Sequence, residues 1–270
     1  MEKAEKAEDP VLRVSSSTSF YIFTSYLWRN HVESTNHGGE HYFLPYHRDR
    51  LVSAAEAFGW TGVTTFIGGD GGMKRLSGIV VDHLKTVCEE EPSCAMRKIK
   101  ICVYKDSRFH IETAAITPTD SSNVFYLPTN LNEVATLNCR CLVKLDLEST
   151  PTSLFTSHKT SERIPYDRAR GAADIAHKPP TTAEVLLFNP RGEITECSVS
   201  TPYFQRHGRW VTPSLSSGGN AGVTRRLALQ NGLCEEQTVF VESLRHQEII
   251  WISNGVRGFI PATLLLEPLS

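Results

Sequence analysis

The sequence lacks the segments that would direct a protein out of the cytoplasm or into a membrane. Its first residues, MEKAEKAEDPVLRVSSSTS, are charged and then polar, without the apolar core of a secretory signal or the arginine-rich, acid-poor character of a transit peptide. No stretch of the chain approaches the roughly 18 consecutive apolar residues that a membrane-spanning helix needs. We therefore expect a cytoplasmic protein without a membrane partner.

An excess of charge of one sign is also missing. The 28 basic and 30 acidic residues give a formal net charge of -2, and no run of Lys or Arg stands out. No long-range field would therefore attract nucleic acid, which we do not expect as a partner. Hydrophobic residues make up 40% and charged residues 21% of the 270 positions, which is typical of a globular protein with one large domain or two modest ones.

Patterns of metal-binding or disulfide-forming residues are equally absent. The seven cysteines are odd in number, and Cys139 and Cys141 form C-x-C rather than the C-x-x-C of zinc sites. The nearby histidines His37, His41 and His47 do not form an H-E-x-x-H motif. We therefore expect reduced cysteines and no metal site.

Hydrophobic periodicity predicts a first block of mixed helices and strands. Leu51, Ala54, Ala55 and Phe58 repeat at helical spacing, and Gly59 follows where a helix commonly ends. The predicted order is strand, helix, helix and three strands, over residues 20–28, 47–58, 73–90, 98–104, 109–116 and 140–147. Residues 1–150 are thus predicted to form a small N-terminal α+β domain.

A second block, rich in strands, follows the Ser-, Thr- and Pro-rich stretch 148–180, which is the best candidate for a boundary. The turn sequence N-P-R-G at 189–192 predicts a hairpin between two of these strands. The predicted strands are 184–188, 194–198, 209–211, 239–244, 248–253 and 259–266, with a helix at 222–230. Residues 151–270 are predicted to form a larger C-terminal α/β domain, and the fold class is therefore α+β or α/β with two lobes.

Four features of the second block supply the parts of a site for pyridoxal 5′-phosphate (PLP). This cofactor needs a lysine amine, an acid beside its pyridine nitrogen, and a cup of N–H groups and hydroxyls for its phosphate. Lys159 offers the amine, and Glu196 at the end of a hairpin arm offers the acid. The glycine-rich segment 218–222 leads into a helix, and Ser253 and Asn254 end a strand, so both features suit a phosphate cup.

The same features, in this order along the chain, resemble the class IV aminotransferases, which are the fold-type IV PLP enzymes. The matching motifs are K-x-x-x-R from Lys159, N-x-x-G-x-I-x-E-x-S from Asn189, a T-P pair, G-V-T-R from Gly222 and S-N-G from Ser253. The resemblance spans residues 20–265, where an H-x-x-R-L motif also contains Arg50. It implies a two-lobed fold, PLP as cofactor, an amino substrate of low molecular mass and a homodimer.

The resemblance assigns the reacting end of the cofactor to three residues. Lys159 would form the Schiff base and shuttle a proton, and it would lie near the boundary between the two domains. Glu196 would pair with the pyridine nitrogen, and Tyr166 would hydrogen-bond the ring hydroxyl, although its spacing from Lys159 is unusual. Taken alone, Lys159 is typical of a solvated surface charge, and only the ordered set of motifs favours the catalytic interpretation.

The resemblance assigns the phosphate to five residues from both blocks. Arg50 would reach it from the first domain, whereas the alternative is an ion pair with a helix neighbour such as Asp49 or Glu56. Backbone N–H groups of two residues and side chains of two more would complete the cup: Val223, Thr224, Ser253 and Asn254. One position departs from the family pattern E-x-S-x-x-N, because Thr201 stands where the asparagine is expected.

Two motifs favour the aminodeoxychorismate lyase branch of this family. Phe23-Thr24-Ser25 resembles its F-T-T strand, in which a threonine hydroxyl lies beside the Schiff base, so Thr24 is predicted to be catalytic along with Lys159. The K-x-x-x-R motif ending at Arg163 is also similar to that branch. The expected reaction converts 4-amino-4-deoxychorismate to 4-aminobenzoate and pyruvate. The alternatives are an aminotransferase of the same fold and a PLP-binding relative without turnover.

Overall fold

Two β-sheets organise the part of the chain that the computed structural model describes, which comprises residues 20–29, 40–41, 43–91, 94–116, 126–136 and 141–266. The smaller sheet has four antiparallel strands, which lie side by side in the order second, first, third and fourth along the chain, and the larger has eight. Within these ranges no helix is both long and apolar enough to cross a membrane. Cys139, His37 and the first 19 residues of the chain lie outside the described ranges.

The smaller sheet and three helices share one hydrophobic core. Its strands are β1 (Ile22–Arg29), β2 (Glu40–His41), β3 (Met96–Val103) and β4 (Phe109–Ala115). The helices are α1 (Leu44–Ala57), α2 (Thr61–Ile67) and α3 (Gly72–Glu90). Leu51, Leu76 and Ile99 are fully buried in the core that the sheet and helices form together. The predicted periodicity of α1 and α3 is therefore confirmed, since Leu51 and Ala54 of α1 and Leu76 and Val80 of α3 all lie in this core.

Helix α1 begins three residues earlier than the periodicity alone indicates. Pro45 occupies its first turn, where the missing N–H of proline costs no hydrogen bond. Helix α2 was not predicted, because its sequence TGVTTFI is rich in β-branched residues and glycine. Val63 and Ile67 nevertheless lie fully buried, so packing against the core outweighs the weak helix propensity.

The larger sheet has the strand order β10-β9-β8-β11-β12-β5-β6-β7. Its strands are β5 (Cys141–Leu145), β6 (Ala183–Phe188), β7 (Ile194–Cys197), β8 (Thr201–Arg206), β9 (Arg209–Pro213), β10 (Glu235–Gln237), β11 (Ile249–Asn254) and β12 (Gly258–Leu265). Three helices accompany it: α4 (Leu154–Ser157), α5 (Ile164–Ala172) and α6 (Val223–Gln230). The hairpin β6–β7 around the N-P-R-G turn is confirmed.

Three details of the larger sheet differ from the sequence prediction. Strands β8 and β10 were not predicted, and the predicted strand 239–244 is wrong, because this segment contains a 3-10 turn at Val241–Ser243. Strand β5 pairs in parallel with β12 and β6, although it precedes residue 150. Such parallel pairing joins distant parts of the chain and leaves no local signal. The division into residues 1–150 and 151–270 stays a prediction.

Strand β1 connects the small sheet to two segments of the second half of the chain. The backbone N–H of Phe23 donates to the carbonyl of Lys159 at 2.9 Å, and Ile22 forms a β-bridge with Thr160. Farther along β1, the N–H of Leu27 donates to the carbonyl of Gly255 at 3.1 Å. Main-chain hydrogen bonds thereby place the Lys159 segment and the end of β11 against the same strand.

Candidate active site

One cavity of about 470 Å³ lies where the two sheets meet, and all eight predicted cofactor-binding residues line it. These residues come from α1, the segment before α5, α5 itself, β7, α6 and the end of β11: Arg50, Lys159, Tyr166, Glu196, Val223, Thr224, Ser253 and Asn254. A cavity of this size and mixed chemical character is typical of a site for a cofactor or substrate.

Lys159 presents an amine of unusual reactivity to this cavity. Its pKa is lowered from 10.5 to about 7, chiefly by burial and then by the positive charges of Arg50 and Arg163, while Glu196 acts in the opposite direction. Its Nζ lies 4.9 Å from the centroid of the Phe23 ring. A substantial neutral fraction therefore exists near neutral pH, which a lysine needs to attack an aldehyde.

Glu196 is the acid of the site. Its Oε1 accepts a hydrogen bond of 2.6 Å from the hydroxyl of Tyr166, and the backbone N–H of Asn220 also donates to its carboxylate. Burial raises the pKa of Glu196 from 4.5 to about 7, whereas Tyr166, Lys159 and Arg50 favour the ionised form. Tyr166 thus orients the acid in this structure, and its predicted bond to a cofactor hydroxyl stays a prediction.

The first turn of helix α6 forms the floor of the predicted phosphate cup. Gly222 precedes its first turn, and no side chain caps the N–H groups there, which include those of Val223 and Thr224. The hydroxyl of Ser253 donates to Thr224 Oγ1 at 2.7 Å and lies 2.8 Å from the hydroxyl of Tyr203. The hydroxyl hydrogen of Thr224 therefore remains for a group in the cavity, and N–H groups at a helix N-terminus favour an anion.

Arg50 completes the cup from the other half of the structure. Its Nη2 donates to Asn220 Oδ1 and to the carbonyl of Ala221, both at 3.1 Å. Its Nε is buried and has no hydrogen-bond partner among the described residues. Burial lowers the pKa of Arg50 to about 10, and Glu196 opposes this effect. An unpaired guanidinium donor beside a helix N-terminus fits a phosphate group.

The alternative ion pair between Arg50 and Asp49 is not present, because Asp49 pairs with other arginines. Its Oδ2 lies 2.7 Å from Arg226 Nη1, and its Oδ1 lies 3.4 Å from Arg48 Nη1. The pair with Arg226 connects α1 to α6. This contact holds the helix that carries Arg50 against the helix whose first turn forms the cup.

Asn254 lines the cavity with a side chain that is already engaged at both ends. Its Oδ1 accepts hydrogen bonds of 3.0 Å from the N–H groups of Val256 and Arg257, and its Nδ2 donates to Ser200 Oγ at 3.3 Å. Asn254 therefore shapes the turn between β11 and β12. A direct contact between its side chain and a phosphate stays a prediction.

The structure does not bring Thr24, which was predicted to be catalytic, to the cavity. Phe23 and Ser25 line the cavity, and side chains alternate between the two faces of a strand, so Thr24 faces the opposite side of β1. There it is fully buried, with its Oγ1 2.5 Å from His47 Nδ1. The F-T-S motif thus brings the hydroxyl of Ser25, not that of Thr24, to the cavity.

The cavity is also lined by cationic side chains that the sequence motifs did not predict. Lys98 and Lys100 alternate along β3 and face the cavity together with Glu112 of β4, and Arg257 approaches from the turn after β11. Burial lowers the pKa of Lys98 and that of Arg257. Lys100 is held by Glu112 at 3.1 Å and by the Tyr21 hydroxyl at 3.0 Å. The alternating basic residues of the R-K-I-K-I stretch were the available signal.

Comparison with known proteins identifies the family. The protein-family model described as amino-transferase class IV matches residues 22–265. The chain therefore belongs to the class IV aminotransferase family, and its fold is that of the fold-type IV PLP enzymes. A solved structure of a candidate amino-acid aminotransferase from Mesorhizobium loti superposes with a TM-score of 0.64 at 22% identity, covering 91% of this chain and 100% of that one.

The chain is also similar to two fungal proteins that are named as aminodeoxychorismate lyases. A candidate aminodeoxychorismate lyase of Schizosaccharomyces pombe is 21% identical over 244 residues, which are 88% of this chain and 91% of that protein. The aminodeoxychorismate lyase of Saccharomyces cerevisiae is 28% identical over 193 residues, which are 62% of this chain. The matched region is 51% of the Saccharomyces protein, so the chain corresponds to about half of that relative.

Proposed function

We propose that this protein is a PLP-dependent lyase that converts 4-amino-4-deoxychorismate to 4-aminobenzoate and pyruvate. The observation that carries the proposal is the arrangement of Lys159, Glu196 and the α6 N-terminus around one cavity that also has a cationic wall. The names of the two fungal relatives support this particular reaction.

The residues of the cavity fit PLP. Lys159 would hold the cofactor through its amine, and Glu196 would lie against the pyridine nitrogen and keep it protonated. The phosphate would lie in the cup, where Arg50 Nε and the first N–H groups of α6 lack partners among the described residues. PLP supplies an electron sink that stabilises the negative charge left when a bond to the amine-bearing carbon breaks.

Lys159 would perform both proton transfers of the reaction. Its neutral amine would take the proton from the amine-bearing ring carbon of the substrate. It would return a proton to the methylene carbon of the departing enolpyruvyl group, which then leaves as pyruvate while the ring becomes aromatic. The C–H and C–O bonds of the substrate break and one C–H bond forms, so no oxidant or reductant is needed. Ser25 is the hydroxyl of β1 placed to assist.

The charge of the cavity wall favours this substrate over an ordinary monocarboxylic amino acid. Aminodeoxychorismate carries two carboxylates, and the wall formed by β3 and the turn after β11 presents Lys98 and Arg257. Glu112 neutralises the neighbouring Lys100. The second candidate function, an aminotransferase with a keto-acid acceptor, is supported by the family and by the Mesorhizobium structure.

The decisive experiment supplies purified, PLP-loaded protein with aminodeoxychorismate and measures pyruvate and 4-aminobenzoate together. Equal amounts of both products, absent with Lys159→Ala, are expected. Transfer of the amino group to a keto acid without pyruvate release would instead identify the aminotransferase. A visible PLP absorption band without either reaction would identify a non-catalytic relative. We also propose a homodimer, which light scattering after gel filtration tests.

A further inference from the structure

A fully buried ion pair lies directly behind the wall of the cavity. Glu184 of β6 has no exposed surface, and its Oε2 lies 3.6 Å from Arg170 Nη1 of α5. Arg170 also donates to the carbonyls of Ile175 and Lys178, at 2.9 and 2.7 Å. Neither residue lines the cavity, and the proposed reaction assigns neither a role.

The carboxylate of Glu184 binds three consecutive residues of the cavity wall. Its Oε2 accepts a hydrogen bond from the hydroxyl of Ser198, and its Oε1 accepts one of 2.9 Å from the hydroxyl of Ser200. The backbone N–H of Val199 between them also donates to it. These three residues begin two positions after Glu196 and line the cavity themselves.

The same hydrogen-bond network extends to the opposite edge of the wall. Ser200 Oγ accepts from Asn254 Nδ2, and Asn254 Oδ1 holds the N–H group of Arg257, which lines the cavity. At the other end of this segment, Arg163 Nη2 donates to the carbonyl of Ser198 at 2.8 Å. One carboxylate therefore connects the loop after Glu196 with the turn that carries Arg257.

The direction of these hydrogen bonds depends on an ionised carboxylate at position 184. Each serine hydroxyl has one hydrogen, and both hydrogens are donated to Glu184. Ser200 can then only accept from Asn254, and the turn is fixed in one arrangement. A buried ion pair adds little stability compared with well-packed apolar side chains, so its presence here favours a role in fixing one conformation.

We propose that Glu184 is a positioning residue for the substrate side of the active site, acting through Ser198, Ser200 and Asn254. The inference rests on the proposed function for its consequence in catalysis, but its structural part stands on the hydrogen bonds alone. Glu184→Gln keeps the shape of the side chain and turns one acceptor into a donor. One of the two serine hydroxyls then loses its acceptor, and the link to Asn254 loosens.

The test compares Glu184→Gln with a matched control, Glu248→Gln. Glu248 forms a largely buried ion pair with Arg206 in the same half of the structure, but it does not line the cavity. We expect Glu184→Gln to raise the KM for the amino substrate about tenfold, with kcat within about threefold of wild type and an unchanged PLP absorption band. Glu248→Gln should leave KM unchanged.

Amide hydrogen exchange, measured without substrate, separates this inference from the proposed function. Glu184→Gln should accelerate exchange at residues 197–201 and 254–257, and Glu248→Gln should not. Unchanged exchange in these two segments, or faster exchange with an unchanged KM, would overturn the inference. A wild-type protein that releases no pyruvate refutes the proposed lyase reaction alone. If Glu184→Gln does not fold, Ser200→Ala removes the hydroxyl that joins Glu184 to Asn254, keeps the carboxylate, and should reproduce the rise in KM.

Discussion

The perturbed amine of Lys159 leads to a quantitative prediction that does not depend on the substrate. The pKa of Lys159 is lowered from 10.5 to about 7, with burial as the largest cause. At pH 7 an amine of pKa about 7 is about half neutral, whereas a lysine of ordinary pKa is neutral in roughly one molecule in 3,000. Only the neutral amine is a nucleophile, but an amine of lower basicity is intrinsically less nucleophilic, so Lys159 should react about 10- to 100-fold faster than an ordinary lysine of equal access.

Competitive labelling of the PLP-free protein with a trace of acetic anhydride measures this difference. Peptide mass spectrometry would give the labelled fraction of each lysine between pH 5 and 9. Lys85, with a side chain that is 68% exposed, serves as the internal reference for an accessible amine. We expect the labelling of Lys159 to rise through pH 7 and then level off, and added PLP should protect it.

Two variants should move the labelling curve of Lys159 in opposite directions. Arg50 lowers the pKa of Lys159 and Glu196 raises it, so Arg50→Met should shift the curve to higher pH and Glu196→Gln to lower pH. If Lys159 instead labels like Lys85 across the whole range, or if both variants shift the curve in the same direction, the electrostatic description of the site is incorrect.

Four further predictions address Arg50, Glu196, Gly222 and Thr24. Arg50→Met should weaken PLP binding about 10- to 100-fold in equilibrium dialysis. Unchanged affinity would show that Arg50 does not bind the phosphate. Glu196→Gln should retain PLP but lower kcat by roughly 10²-fold. A kcat near that of the wild type would show that Glu196 is not the acid beside the pyridine nitrogen. A Cβ on Gly222 would lie 2.6 Å from Thr201 Oγ1. Gly222→Ala should therefore destabilise the PLP-bound protein by about 1–3 kcal/mol, measured by thermal unfolding. Adding Thr201→Ala should restore much of this lost stability. Thr24→Val should lower the free energy of unfolding by about 1–3 kcal/mol while kcat stays near that of the wild type. A large fall in kcat would show that Thr24 takes part in catalysis.

The glycine at position 222 also explains why Thr201 is compatible with the phosphate cup. The family pattern places asparagine where this chain has Thr201, and the threonine hydroxyl lies where a side chain at position 222 would otherwise point. A glycine there leaves room for Thr201 and keeps the first turn of α6 open to an anion. The departure from the pattern is therefore accommodated within this chain, beside the cup rather than at Lys159.

The order of short motifs along the chain, through the family that they resemble, was enough to predict the family, a two-lobed fold and eight residues that line one cavity. This was possible because PLP needs an amine, an acid and an anion cup, and each has a local sequence signature. Lys159, Glu196 and the glycine-rich approach to α6 are all of this kind. The hairpin at the N-P-R-G turn and the amphipathic helices α1 and α3 were predictable for the same reason, since their signals are local.

Only the tertiary structure decided which side chains face the cavity and how they are paired. The pleat of β1 brings Ser25 rather than Thr24 to the cavity, and a shift of one residue in a strand cannot be judged from a three-letter motif. The pairing of β5 with β12 and the network from Glu184 to Asn254 join residues far apart in sequence. Burial, which lowers the pKa of Lys159 and raises that of Glu196, likewise exists only when the two halves of the fold enclose the cavity between them.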